Sequence, residues 1–273
     1  NSSLSQNVTF VADVSTAKIA DLVVIKDGSE ADGSTANTLR EGDRCVRNAL
    51  AGQTVSVTAD NGATLSPTVI TGPDGTVEIS VTSQTAGAST VTASINSSSQ
   101  SRNVTFIADV RTAQIASLEV RQDNSVADGA MANTLRVKVT DAFGNALAGQ
   151  TVSVMAGNGA TVAPTVITEP DGTVEISVTS QTAGISTVTA TINSSSQSRD
   201  VTFIADVRTA QIADLVVIKD GSEADGSTAN TLRARVTDAF GNTLAGQTVS
   251  VLGGNRRNDC PDGHHRARRD GGD

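Results

Sequence analysis

The sequence runs to 273 residues with a net charge of −9 and an isoelectric point near 4.7. That is long enough for two or three small domains, and too acidic for a nucleic-acid groove or an anionic membrane surface. With no Trp, no Tyr and five Phe it lacks the aromatic platforms of sugar-binding and base-stacking sites, and no apolar run approaches the ~20 residues that cross a bilayer.

Thr, Ser, Val, Ala, Gly and Asp fill the chain, the composition of short strands joined by tight turns. Residues 1–14 end in "NVTFVADV", which reads as the last strand of a unit already under way. No leader precedes it, so the sequence reads as an excerpt. The same motif returns as "NVTFIADV" at 103–110 and "DVTFIADV" at 200–207, at spacings of 96 and then 97 residues. Residues 20–40 recur letter for letter at 213–233, and "SVTSQTAG" occurs at 80–87 and 177–184. Internal repetition at a fixed period sets the architecture before any single residue does. The expected organisation is the end of one repeat (1–14), a repeat at 15–110, a complete repeat at 111–207, a truncated repeat at 208–253 and a tail at 254–273.

Within a unit the periodicity is two. "TLRVKVTD" sets Leu135, Val137 and Val139 on one face against Arg136 and Lys138, and "TVEISVTS" sets Val174, Ile176 and Val178 against Glu175. Val188, Ala190 and Ile192, then Val201, Phe203 and Ala205, continue the pattern. One apolar and one wet face per strand predicts antiparallel sheets packed on a single core. "DAFGN" (141–145) and "EPDGT" (169–173) are Gly-containing turn signals between strands. About seven short strands per unit point to an all-β fold: tandem immunoglobulin-like, Greek-key antiparallel sandwiches arranged as a rod, with helix nearly absent.

The order of these motifs, "ADGxxxNTLRVKVTDAFGNALAGQTVSV" followed by "NGATVAPTVIT", "DGTVEISVTSQTAGISTVTATI" and "VTFIAD", resembles the group 1 bacterial immunoglobulin-like (Big-1) repeat of the invasin and intimin adhesins. The resemblance implies a non-catalytic extracellular stalk on the bacterial surface. It also implies an outer-membrane anchor to the N-terminal side and a distal domain that meets a host receptor, neither of which lies in these residues. Its direct partners would be neighbouring repeats, with no nucleic acid, no membrane insertion by this segment, and no cofactor, metal or catalytic residue. Two alternatives remain: repeats that themselves bind a host protein, and an accessory module of a secreted enzyme.

Two stretches break the pattern. "EGDRCVR" (41–47) stands where the third repeat has "ARVTDAFG" (234–241), and the tail begins "RRNDCPDGHHRARR" (256–269). The string GCG AGG GTG ACC GAT GCG TTC GGT AAC encodes the expected Ala-Arg-Val-Thr-Asp-Ala-Phe-Gly-Asn. Without its first two bases it reads Glu-Gly-Asp-Arg-Cys-Val-Arg, and dropping one more base restores Asn48. Three lost bases are one lost residue, the difference between the two repeat spacings. The tail is likewise an out-of-frame reading of a stretch like residues 159–176, and is expected to be disordered.

Both Cys (Cys45, Cys260) and both His (His264, His265) fall in these stretches, so they are read as products of the shift, not as a disulfide, a metal site or a basic patch. The recurring Asp-Gly pairs lack the loop pattern of a calcium site and are read as turns, although weak calcium binding near junctions stays open. Asp and Glu fall on turns or outward positions, which does not suit a paired-carboxylate hydrolase. Aligning Leu39 with Leu135 puts Glu41 and Asp43 at the inward positions of Val137 and Val139. The strand at 41–47 is therefore expected to be disrupted, because buried carboxylates are costly.

Overall fold

The computed structural model describes residues 3–9, 11, 13–42 and 49–253. Asp43, Cys45, Cys260, His264 and His265 lie outside the described residues, as does the predicted tail from 254 onward. The chain divides into two compact units, Asn1–Asp206 and Val207–Asp273.

The first unit holds two sandwiches built alike. The first sandwich has β1 (Asp21–Lys26), β2 (Ser29–Glu30), β3 (Asn37–Gly42), β4 (Thr54–Ala59), β5 (Thr64–Leu65), β6 (Thr68–Ile70), β7 (Val77–Thr82), β8 (Gly87–Ile95) and β9 (Ser98–Ile107). Its sheets run in the orders β1-β3-β7-β5 and β2-β9-β8-β4-β6. The second sandwich repeats this with β10 (Gln114–Gln122), β11 (Ser125–Val126), β12 (Asn133–Thr140), β13 (Thr151–Ala156), β14 (Thr161–Val162), β15 (Thr165–Ile167), β16 (Thr173–Thr179), β17 (Gly184–Ile192) and β18 (Ser195–Ile204). Its sheets are β10-β12-β16-β14 and β11-β18-β17-β13-β15.

Alternation places most of the core as predicted: Leu135, Val137, Val139, Ile176, Val178, Val188, Ala190, Val201 and Phe203 are buried between the layers, whereas Val174 and Ala205, at strand ends, are only partly buried. The first core matches it with Leu39, Ile79, Val81, Val91, Ala93, Val104 and Phe106. β-Branched residues suit both tasks, stiff at χ1 and well packed on a pleated face.

Three features depart from the simple antiparallel reading. β2 pairs with β9, and β11 with β18, in parallel. A buried amide joins each such pair: Asn37 Oδ1 accepts from Ser29 N at 3.0 Å while its Nδ2 donates to Thr105 O at 2.9 Å, and Asn133 repeats this with Ser125 and Thr202. Residues 3–9, which repeat the β9 motif, form no strand, and Leu4 and Val8 are exposed. Such an edge needs partner strands to bury it, and among the described residues none pairs with it. Finally, β3 runs on through Glu41 and Gly42 into the stretch expected to break. Glu41 pairs with Leu22 and Val77 through backbone bonds that do not depend on its side chain. Its side chain is buried, at the inward position that the alignment with Val137 requires.

Within the second unit, β19 (Gln211–Lys219) pairs with β20 (Thr231–Thr237). Thr248–Val251 repeats the β13 sequence but forms no strand. In the second sandwich β13 is held by β15 and β17, which have no counterparts among the described residues of this unit.

Candidate functional site: the junction between the sandwiches

Between β9 and β10 the chain makes a single 3-10 turn, Val110–Thr112. Asp109 caps it, accepting from Arg111 N at 3.0 Å, and Thr112 Oγ1 donates back to Asp109 O at 3.1 Å. Short polar residues that bond their own backbone set the exit direction of the strand, which is why the link needs neither Gly nor Pro.

The "DAFGN" loop of the second sandwich closes on this turn. Asp141 is fully buried. Its Oδ1 accepts from Phe143 N and Asn145 N, both at 2.9 Å, and its Oδ2 from Asn145 Nδ2 at 2.8 Å and from Asp109 N at 3.2 Å. Oriented in this way, Asn145 reaches the first sandwich. Its Nδ2 donates to Gln84 O at 2.9 Å and its Oδ1 accepts from Ala86 N at 2.8 Å, so one side-chain amide docks on the loop between β7 and β8 as a neighbouring strand would. Gln114 Nε2 donates to Asp141 O at 3.2 Å, and Ala142 N to Thr112 Oγ1 at 3.2 Å.

A charged group flanks this network. The Arg111 guanidinium lies 3.0 Å from Asp109 Oδ1 and also donates to Glu30 Oε2 in the first sandwich. The hydrogen bond from Arg111 holds the Asp109 carboxyl below the usual carboxylate range, against the opposing effect of its burial. Asp109 first, and then Glu30, push the guanidinium the other way. Nearby, hydrogen bonds led by that from Thr35 N hold Asp32 far below the usual range.

Two expectations follow. Asn145→Ala leaves the Gln84 carbonyl and the Ala86 amide of the first sandwich without their partner, at a cost of about 1–3 kcal/mol in the coupling between sandwiches. Calorimetry should then show the two transitions moving apart. Second, Asp32 and Asp109 are depressed in the folded state, so unfolding in acid takes up protons. The stability they contribute is fully present above about pH 4, the unfolded carboxylate range, and is lost as pH falls below it. The melting temperature should be level from about pH 5 to 8 and drop below 4, with a smaller drop in Arg111→Met.

The Asp-Gly carboxylates are turn-formers. Asp27 Oδ1 accepts from Gly28 N and Thr105 N at 2.9 and 2.6 Å, and Asp74 and Asp171 accept from Thr76 N and Thr173 N at 3.0 and 2.9 Å. Among the described residues no group of three His, Cys, Asp or Glu side chains is placed to hold a metal ion. No helix among them is long and apolar enough to cross a membrane. Sequence reasoning read "DAFGN" only as a turn and missed Asn145 as a clamp. Its return at 238–242 was the available signal.

Tandem two-layer sandwiches joined by a capped turn define an immunoglobulin-like repeat protein. The chain belongs to the bacterial Ig-like domain (group 1) family, whose model matches residues 19–107, 115–204 and 212–260. It is 33% identical to the inverse autotransporter adhesin YeeJ of Escherichia coli K12, over 92% of this chain and 11% of that protein. The chain thus spans about a ninth of that curated relative. Two solved structures share the fold. The Escherichia coli adhesin FdeC has a TM-score of 0.59 at 20% identity, covering 87% of this chain and 79% of that one. Yersinia pseudotuberculosis InvD has a TM-score of 0.57 at 18% identity, covering 82% and 71%.

Proposed function

We propose that this chain is a non-catalytic segment of the extracellular stalk of a bacterial surface adhesin of the inverse autotransporter type. It acts as a spacer between an outer-membrane anchor and a distal domain that binds the host or another cell. Membership of the family and the kinship with YeeJ, itself an inverse autotransporter adhesin, support the class. The observation that carries the spacer role is the Asn145 clamp. Its two bonds tie the second sandwich to the first, which a spacer needs if length is to become reach. Its neighbours in the work are other repeats of the same chain, and the host receptor belongs to the distal domain. The repeats divide at 15–110, 111–207 and 208–253, residues 1–14 close a preceding repeat, and 41–47 and 254–273 derive from a shifted frame.

The test displays the chain on Escherichia coli between an outer-membrane anchor and a nanobody, and applies the purified chain to host cells. The spacer reading expects the nanobody to capture bulky antigen better with the chain inserted than without, and the purified chain to show no saturable binding. Saturable binding by the purified chain would replace the spacer with an adhesive module.

A further inference from the structure

The two sheets of the second sandwich divide its charge unequally. The sheet β10-β12-β16-β14 exposes Glu119, Arg136, Lys138 and Glu175, whereas β13, β15 and β17 contain no charged residue. With Val152, Val154, Val188 and Ala190 buried, the alternate positions of β13 and β17 turn outward. There a row of hydroxyls crosses four strands in register: Ser196, Thr191, Ser153 and Thr165. The first sandwich has the same row in Ser99, Ser94, Ser56 and Thr68, again on strands whose inner three carry no charge.

One row further on, Thr189 and Ser198 bond each other at 2.8 Å, and Met155 beside Thr189 is 68% exposed. Ile167, on the edge strand next to Thr151, is exposed as well. Charge returns only at the rim, on β18. Arg199 there donates to Ser198 O, and Asp200 accepts from Thr187 Oγ1 at 2.7 Å.

We propose that this uncharged face is a homotypic contact, on which a second copy of the chain packs face to face about a two-fold axis near Ser153 and Met155. Such an axis sets the same patch on both partners, so the patch must complement itself. A hydroxyl both donates and accepts, and a face of hydroxyls meets that requirement where a face of fixed charges does not. Net charge points the same way: copies at −9 repel one another, and through this face they meet with charge only at the rim. Met155 and Ile167 supply the apolar area. Pairing along the neighbouring edge is disfavoured, because β15 is three residues long and follows Pro164. The first sandwich has Thr58 in place of Met155, so its face makes the weaker contact. This contact goes beyond the spacer role and stands without it.

The test is sedimentation equilibrium of the full chain, in reductant, from micromolar to millimolar concentration. Reversible association is expected, and added salt should strengthen it by screening the net charge. On dilution of ¹⁵N-labelled chain, amide shifts should centre on β13 and β17. Ser153→Lys and Thr191→Lys should each weaken association roughly tenfold or more, since the axis brings two new lysines together. Ser177→Lys makes the same change on the exposed face of the charged sheet and should leave association as it is. Circular dichroism should show all three variants folded. A chain still monomeric at millimolar concentration, association weakened by salt, or equal loss in Ser177→Lys would overturn the proposal. So would dilution shifts centred on β19 and β20.

Discussion

Glu41→Val should raise the melting transition of the first sandwich. Glu41 is 4% exposed and stands between Leu22 and Val77, at the position that Val137 fills between Leu118 and Val174 in the second sandwich. A carboxylate there must give up its hydration, and a neighbour repays only part of that loss; replacing buried charge with well-packed apolar groups gains about 1–4 kcal/mol where the shape fits. The shape fits, because Val already packs at this register in the sister fold. For a sandwich of this size each kcal/mol moves the midpoint by about 4–8 °C. The reciprocal change, Val137→Glu, should cost the second sandwich about 3–5 kcal/mol. Without Trp or Tyr the chain offers little intrinsic fluorescence, so calorimetry and circular dichroism are the readouts. Wild-type protein should show the first sandwich melting below the second, and Glu41→Val should narrow the gap. A gap unchanged in both variants would mean that position 41 does not set the stability of its sandwich.

Much of this fold is legible from alternation alone. The inward sets Leu135/Val137/Val139 and Val201/Phe203 can be read because a strand exposes its faces with a period of two, and a repeated sequence states the pattern more than once. The inward turn of Glu41 follows from alignment for the same reason. What alternation cannot report is contact between distant segments. β2 and β11 are two residues long, too short for a period, and their parallel pairing depends on the amides of Asn37 and Asn133 several residues away. The alternating motif at 3–9 shows the converse, that a strand pattern without neighbours forms no strand.

The junction was hidden for a related reason. "DAFGN" satisfies every local rule for a turn, and Gly144 does adopt the left-handed conformation, with φ of 89°. Nothing local distinguishes an Asn that closes its own loop from one that also docks on the preceding repeat. In this family member the same residues do both, and the stretch 41–47 replaces them in the first repeat. The first repeat therefore lacks more than an inward valine: it also lacks the loop type by which the second repeat engages its predecessor.

Asp141→Ala should be the most damaging single change at that loop. The fully buried carboxylate is acceptor to four donors, Phe143 N, Asn145 N, Asn145 Nδ2 and Asp109 N, and alanine replaces none of them. Each buried donor left without a partner costs about 1–3 kcal/mol, and water entering the vacated space recovers part of it, for a net loss of about 3–5 kcal/mol. Asp141→Asn keeps one acceptor oxygen but turns an NH₂ toward donors, so it should lie between wild type and alanine. The pattern across variants separates two roles. Asn145→Ala should uncouple the sandwiches while sparing the melting of the second, since the bonds of Asp141 to Phe143 N and Asn145 N remain. Asp141→Ala should lower the second sandwich and uncouple it as well, because without that carboxylate Asn145 has nothing to aim it. The second unit holds the same arrangement, with Asp238 fully buried and accepting from Phe240 N and Asn242 N at 2.9 Å and from Asn242 Nδ2 at 2.8 Å. If Asp141→Ala spared the second sandwich, the carboxylate would be needed for docking alone.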